Sequence, residues 1–132
     1  MKLYLLLCLV SLAACNAIQP AADLPKLGES NWKLSAIEQR PVNYGDRAFL
    51  RFDEKENKIS GKAACNSFFS DYEMIGQKIK FTGIGSTKMY CEGIMDEENQ
   101  IITQLQKTSR YEVKAGMLYL YAGDKLGLTF KR

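Results

Sequence analysis

Histidine is absent from all 132 residues. That absence removes the Ser-His-Asp triad, the Cys-His nucleophile pair, the HExxH metalloprotease helix and His-rich zinc sites from the chemistry open to this chain. Proline is scarce: Pro20, Pro25 and Pro41 are all there is. None follows Pro41, which suits a body of regular strands in which proline would remove ladder donors. Neither sign of charge dominates, since 18 basic and 15 acidic residues leave a formal +3, far from the basic face of a nucleic-acid binder, so no nucleic-acid partner is expected. No apolar run approaches the roughly 20 residues of a membrane-spanning helix. With 46% hydrophobic, 25% charged and 10 Gly, the composition is that of one globular domain, and long disorder and collagen are excluded.

What is present begins with an address. Residues 1–14 read MKLYLLLCLVSLAA: Lys2, an apolar run from Leu3 to Leu12, then small residues. The run is too short to cross about 30 Å of hydrocarbon and has the layout of a secretory leader. Leu12-Ala13-Ala14-Cys15 resembles a bacterial lipobox, which makes Cys15 the expected lipidation site and removes Cys8 with the leader. Residues 15–28 are then the lipidated cysteine and a flexible tether, carrying Pro20 and Pro25 and reaching about 40 Å if fully extended. With so little net charge, attachment to the membrane rests on acyl chains rather than on a polybasic patch. Asn16 rather than Asp in second place resembles the sorting pattern of Gram-negative outer-membrane lipoproteins. The expected location is therefore the cell envelope, lipid-anchored on the outer membrane, with the membrane as one partner and an envelope protein as a possible second.

Residues 29–132 form the body, and they alternate. Trp32, Leu34 and Ala36 fall on one face of a strand, as do Ala48, Leu50 and Phe52. The polar run Asp53–Lys58 is a turn that pairs the latter strand with one beginning at Ile59. Phe68–Tyr72 and Lys78–Phe81 flank Gly76 as a second hairpin. Tyr111 with Val113, Leu118 with Leu120, and Leu126, Leu128 and Phe130 mark three more strands. One window departs from this rhythm. In Met95–Arg110 the residues Ile101, Ile102 and Leu105 share a helical stripe while Glu97, Glu98, Gln104 and Lys107 point elsewhere, with Asp96 placed to cap the start. The expected fold is mainly antiparallel β, a small barrel-like or curved sheet of roughly seven to eight strands, with one α-helix packed on it to plug an open end or side. It is expected to be monomeric.

An ordered set of motifs then carries a resemblance. Trp32-x-Leu34, Gly61-Lys62-Ala63-Ala64-Cys65-Asn66-Ser67-Phe68, Ser86-Thr87-Lys88-Met89-Tyr90-Cys91, an acidic helix start at Asp96 and a closing Leu126-x-Leu128-x-Phe130 resemble the META domain (HslJ-like) family over residues 28–132. Two positions depart from that family's pattern: Ala64 and Ser70 stand where it usually has glycine, which leaves the bend of both loops open. The resemblance implies a compact β fold with one helix, often lipid-anchored in the bacterial envelope, linked to stress and antibiotic tolerance and with no established catalytic activity; no cofactor is expected. It names no ligand.

Several side chains invite chemistry. Cys65 and Cys91 are the body's two cysteines, and an exported chain meets an oxidising compartment, so a disulfide is the first reading. Two others stay open: a reduced pair, or a soft-metal site in which Cys65, Cys91 and Met89, completed by Met74, Met95 or Met117, bind Cu(I). Gly83-Ile84-Gly85-Ser86-Thr87-Lys88 lacks the spacing of a phosphate loop and reads instead as a bulge or bend. Asn66, Ser67, Phe68, Thr87 and Met89 are the candidate loop residues, either bracing tight turns or binding. Alternation cannot bury all of Phe68, Phe69, Tyr72 and Tyr90, and an exposed one is a contact for a protein or glycan. The function read from these features is a lipid-anchored, non-catalytic envelope module. Its rival is a tethered hydrolase inhibitor that uses a protruding Asn43-Tyr44-Gly45-Asp46 loop.

Overall fold

A computed structural model describes residues 26–132; the leader, Cys15 and most of the tether lie outside the described residues. The strands are β1 (Trp32–Ile37), β2 (Arg40–Pro41), β3 (Ala48–Asp53), β4 (Lys58–Ala63), β5 (Asn66–Ile75), β6 (Lys78–Ser86), β7 (Arg110–Lys114), β8 (Met117–Ala122) and β9 (Lys125–Lys131), with one helix, α1 (Met95–Lys107), between β6 and β7. Every pairing is antiparallel, and consecutive strands from β3 to β9 are neighbours. β1 pairs with both β3 and β9, so the meander closes into a ring, with the two-residue β2 lying beside β1. The fold is mainly β with one helix, as the alternation implies.

The side chains alternate into a single core. Trp32, Leu50, Phe68, Ile79, Tyr111, Leu118, Leu128 and Phe130 are fully buried, and Phe52 meets Tyr72 edge-on with ring centroids 5.4 Å apart. Gly61 is needed because a Cβ there would collide with the Phe49 carbonyl oxygen and the Phe68 ring. Strict alternation fails where the ladder slips. A register shift between Leu34 and Ala36 turns Ile37 inward in place of Ala36. A second shift, opposite Leu126–Leu128, leaves Leu126 half-buried while Leu128 and Phe130 stay inside.

β6 and β7 touch at one residue pair, Lys78 and Arg110. The helix fills the gap that this leaves, packing against β6, β9, β4 and β8. Ile101 and Leu105 reach the core, whereas Ile102 is half-buried beside it. Asp96 is not the cap: Ile94 precedes the helix without a side-chain bond, and Asp96 sits in the first turn, where its charge still faces the positive end of the dipole. Glu98, expected to point away, is instead buried. The packed body also starts inside the expected tether. Leu27 is fully buried; its N–H donates to Glu54 Oε1 at 3.1 Å and its carbonyl accepts from Trp32 Nε1 at 2.9 Å.

Among the described residues, one buried side-chain polar atom has no partner. The Tyr111 hydroxyl is enclosed without a hydrogen bond, and burial, followed by the nearby Glu54 charge, holds its pKa above the ordinary 10.0. Because the folded state keeps this proton longer than the unfolded chain does, its contribution is intact below about pH 10 and is lost as pH rises beyond that. Tyr111→Phe removes both the unsatisfied hydroxyl and the titration. It is expected to stabilise the domain by about 1 kcal/mol at neutral pH, and by more under alkaline conditions. Urea unfolding at pH 7 and at an alkaline pH checks both statements.

Candidate functional site

The β4–β5 turn and the start of α1 meet at Asn66. Ala64, just before it, takes the left-handed conformation with φ +73°, so the turn makes the bend that glycine would make, although an L side chain there is unfavourable. Asn66 is 3% exposed, and its amide is fully engaged. Oδ1 accepts from the Met89 N–H at 2.7 Å and the Thr87 hydroxyl at 2.8 Å; Nδ2 donates to the Met89 carbonyl and to Glu98 Oε2, each at 2.9 Å. Its backbone N–H donates to Glu98 Oε1 at 2.8 Å. An asparagine has two donors and two acceptor sites in its side chain, and here each is used. Glu98 in return has its buried charge met by two N–H donors, the condition under which a carboxylate survives inside a protein.

The consequence is a loop, Thr87–Glu92, whose backbone is pinned from within. Thr87 adds to the clamp, its N–H bonded to the Ser67 carbonyl at 3.0 Å and its hydroxyl accepting from the Ser67 N–H at 3.2 Å. Cys65 and Cys91 form a disulfide, with Cα atoms 6.0 Å apart, which ties the far end of the loop to the same turn. Pinned in this way, the loop holds large apolar side chains in water: Met89 is 58% and Tyr90 79% exposed. Between the loop and α1 lies a groove of about 540 Å³, to which the helix contributes Met95, Asn99, Ile102, Thr103 and Gln106.

The candidate residues thus separate. Asn66 and Thr87 brace the turn, and Ser67 takes part through its backbone. Phe68 is a core residue and Met89 presents its side chain outward. The disulfide takes both thiolates from the copper reading, leaving near it the thioethers of Met89 and of Met95, whose Sδ accepts the Cys91 N–H at 3.4 Å. Met74 lies near the β5–β6 turn and Met117 at the start of β8. No cluster of three or more acidic or cysteine side chains suited to a metal occurs among the described residues. Gly83, with φ +67°, makes the bulge in the Gly83–Lys88 segment, opposite Ser70, whose hydroxyl reaches the Thr82 carbonyl at 2.8 Å. The Asn43–Asp46 segment does not form a finger: Tyr44 packs on the core, Gly45–Arg47 is a 3-10 turn and Asp46 pairs with Lys33 at 2.7 Å.

Sequence reasoning missed Glu98 and the helix face over the groove, although both had a signal. Glu98 stands three and seven residues before Ile101 and Leu105, on their stripe, and Asn99, Thr103 and Gln106 repeat at i, i+4 and i+7.

A ring-closed antiparallel meander, with one helix in its gap and a disulfide-tied loop beside the helix start, defines a small β-rich α+β domain built around a braced loop rather than a reactive cluster. The chain belongs to the META domain family, whose model matches residues 25–132. At the family level that membership supports a non-catalytic, stress-related domain. Among solved structures, an NMR structure is 23% identical with a TM-score of 0.64, over 80% of this chain and 90% of its own. An NMR structure of a protein from Burkholderia xenovorans is 22% identical with a TM-score of 0.56, over 78% and 77%. The crystal structure of a DUF4847 family protein from Bacteroides vulgatus is 13% identical with a TM-score of 0.60, over 80% and 93%. At these identities the likeness is one of fold. No curated protein matches the chain.

Proposed function

We propose that the chain is a lipid-anchored, non-catalytic module of the bacterial envelope, held at Cys15 on the outer membrane, that uses the Thr87–Glu92 loop as its binding element. The observation that carries this reading is the exposure of Met89 and Tyr90 on a backbone fixed by Asn66 and by the disulfide. Ordering a loop costs about 1–2 kcal/mol per residue in backbone entropy alone. An ordered loop that hides no apolar surface of its own is suited to recognition, because that cost is met before a partner arrives.

Topology keeps the binding element clear of the anchored end. Leu27, near the start of the described residues, is tied to Glu54 in the β3–β4 turn, whereas the loop sits at the β4–β5 turn, one six-residue strand away, or about 20 Å. Leu27 and the binding element are therefore at opposite ends of β4, which leaves Tyr90 uncrowded by the chain that leads to the anchor.

The test uses the full chain in its envelope, with a photoreactive residue at position 90 or, as control, at Lys55 in the β3–β4 turn. Discrete adducts are expected from position 90 and not from 55, and Cys15→Ser is expected to move the chain out of the membrane fraction. No excess of adducts at 90 contradicts the binding element; a Cys15→Ser chain that stays membrane-bound contradicts the anchor. A single hydrolase captured at near-stoichiometric yield turns the reading to the inhibitor.

A further inference from the structure

Resting on the loop as a binding element, we propose that the groove between the loop and α1 is a site for a neutral saccharide chain bearing hydroxyl and amide groups, the chemistry of acetylated amino sugars. Asn99, Thr103 and Gln106 form an i, i+4, i+7 row on the groove side of the helix, uncharged donors and acceptors with no side-chain hydrogen bond to another side chain or backbone group among the described residues. Tyr90, 79% exposed, lines the same groove from the loop side; its ring offers an apolar face and its phenol a polar edge. A groove that combines a flat aromatic surface with a row of amides and a hydroxyl suits a pyranose, which has apolar C–H faces and a polar rim.

Charge argues against other occupants. The groove's cation is Lys88, whose Nζ bonds Ser86 Oγ at 3.1 Å, and its carboxylate is Glu98, already taken by Asn66. One lysine is a poor cradle for phosphates, which are recognised by clustered cations or converging N–H groups. An amphipathic helix needs a continuous apolar strip, and the row of Asn99, Thr103 and Gln106 interrupts one here. The groove's volume, about 540 Å³, falls within the range of small-ligand sites.

The experiment titrates the full-length lipoprotein in detergent with the tetramer of N-acetylglucosamine and follows the side-chain amide resonances of Asn99 and Gln106. Saturable shifts confined to the groove are expected. Tyr90→Ala is expected to weaken binding about tenfold and Gln106→Ala several-fold, while Lys55→Ala, in the exposed β3–β4 turn at the other end of β4, leaves it unchanged. These side chains are solvent-facing, so the variants keep the fold. No saturable shift, or binding indifferent to Tyr90→Ala, overturns the saccharide site. If the titration fails while position 90 still captures a protein, the saccharide falls and the binding element stands; if neither gives a signal, both fall.

Discussion

Replacing Cys65 and Cys91 together by alanine is expected to cost about 3.5 kcal/mol, the chain entropy released when a loop closed across 26 positions is opened in the unfolded state. For a domain of this size that is a large share of total stability, and it corresponds to a fall in Tm on the order of 15 °C. Reduced wild-type protein is expected to melt with the double variant, because the cross-link and not the sulfur atoms carries the effect. Thermal unfolding of the oxidised, reduced and variant chains decides it. Three coincident curves contradict the account.

Asn66→Ala is the second large effect, at about 4 kcal/mol. The substitution strips one donor from the buried Glu98 carboxylate and leaves the Met89 N–H and carbonyl without their partner. Each buried group left unsatisfied costs about 1–3 kcal/mol, and an uncompensated buried charge costs more. Asn66→Asp separates hydrogen bonding from shape. It keeps the outline but turns the Nδ2 donor, 2.9 Å from Glu98 Oε2, into a negatively charged acceptor, and is expected to be at least as damaging at neutral pH. Combined with the cysteine double variant, Asn66→Ala is expected to cost less than the sum, since both release the same loop. Chemical denaturation of the four proteins provides the cycle; strict additivity contradicts a shared loop.

How much of this was legible in the sequence depended on whether the signal was periodic. The strands of β3, β4, β8 and β9 announce themselves by alternation, and the helix by Ile101 and Leu105 among charges. Ala36 was expected on the buried face, which Ile37 takes instead, and Leu126 is only half-buried, because a ladder shift changes which face a residue occupies, and no local pattern encodes one. The closure of β1 onto β9 pairs residues nearly a chain apart and has no local signature either. The site was half readable. Cys65, Cys91, Asn66, Thr87 and Met89 stand out through the family-like motifs, whereas Glu98 hid because a carboxylate on a helix is usually solvated. Its donors arrive from a turn 32 positions earlier. Ala64 shows the same limit from the other side: the left-handed turn is there although the residue that usually makes it is not.

The most direct test of the account is amide hydrogen exchange at Met89. Its side chain stands in solvent, in a loop outside helix and strand, yet its N–H donates to Asn66 Oδ1 at 2.7 Å. Protection at Met89 comparable to the strands of the ring, and lost in Asn66→Ala, is expected, with the exposed turn at Gly76 and Gln77 between β5 and β6 exchanging freely. Exchange at Met89 as fast as in that turn, in oxidised wild-type protein, would contradict a braced loop.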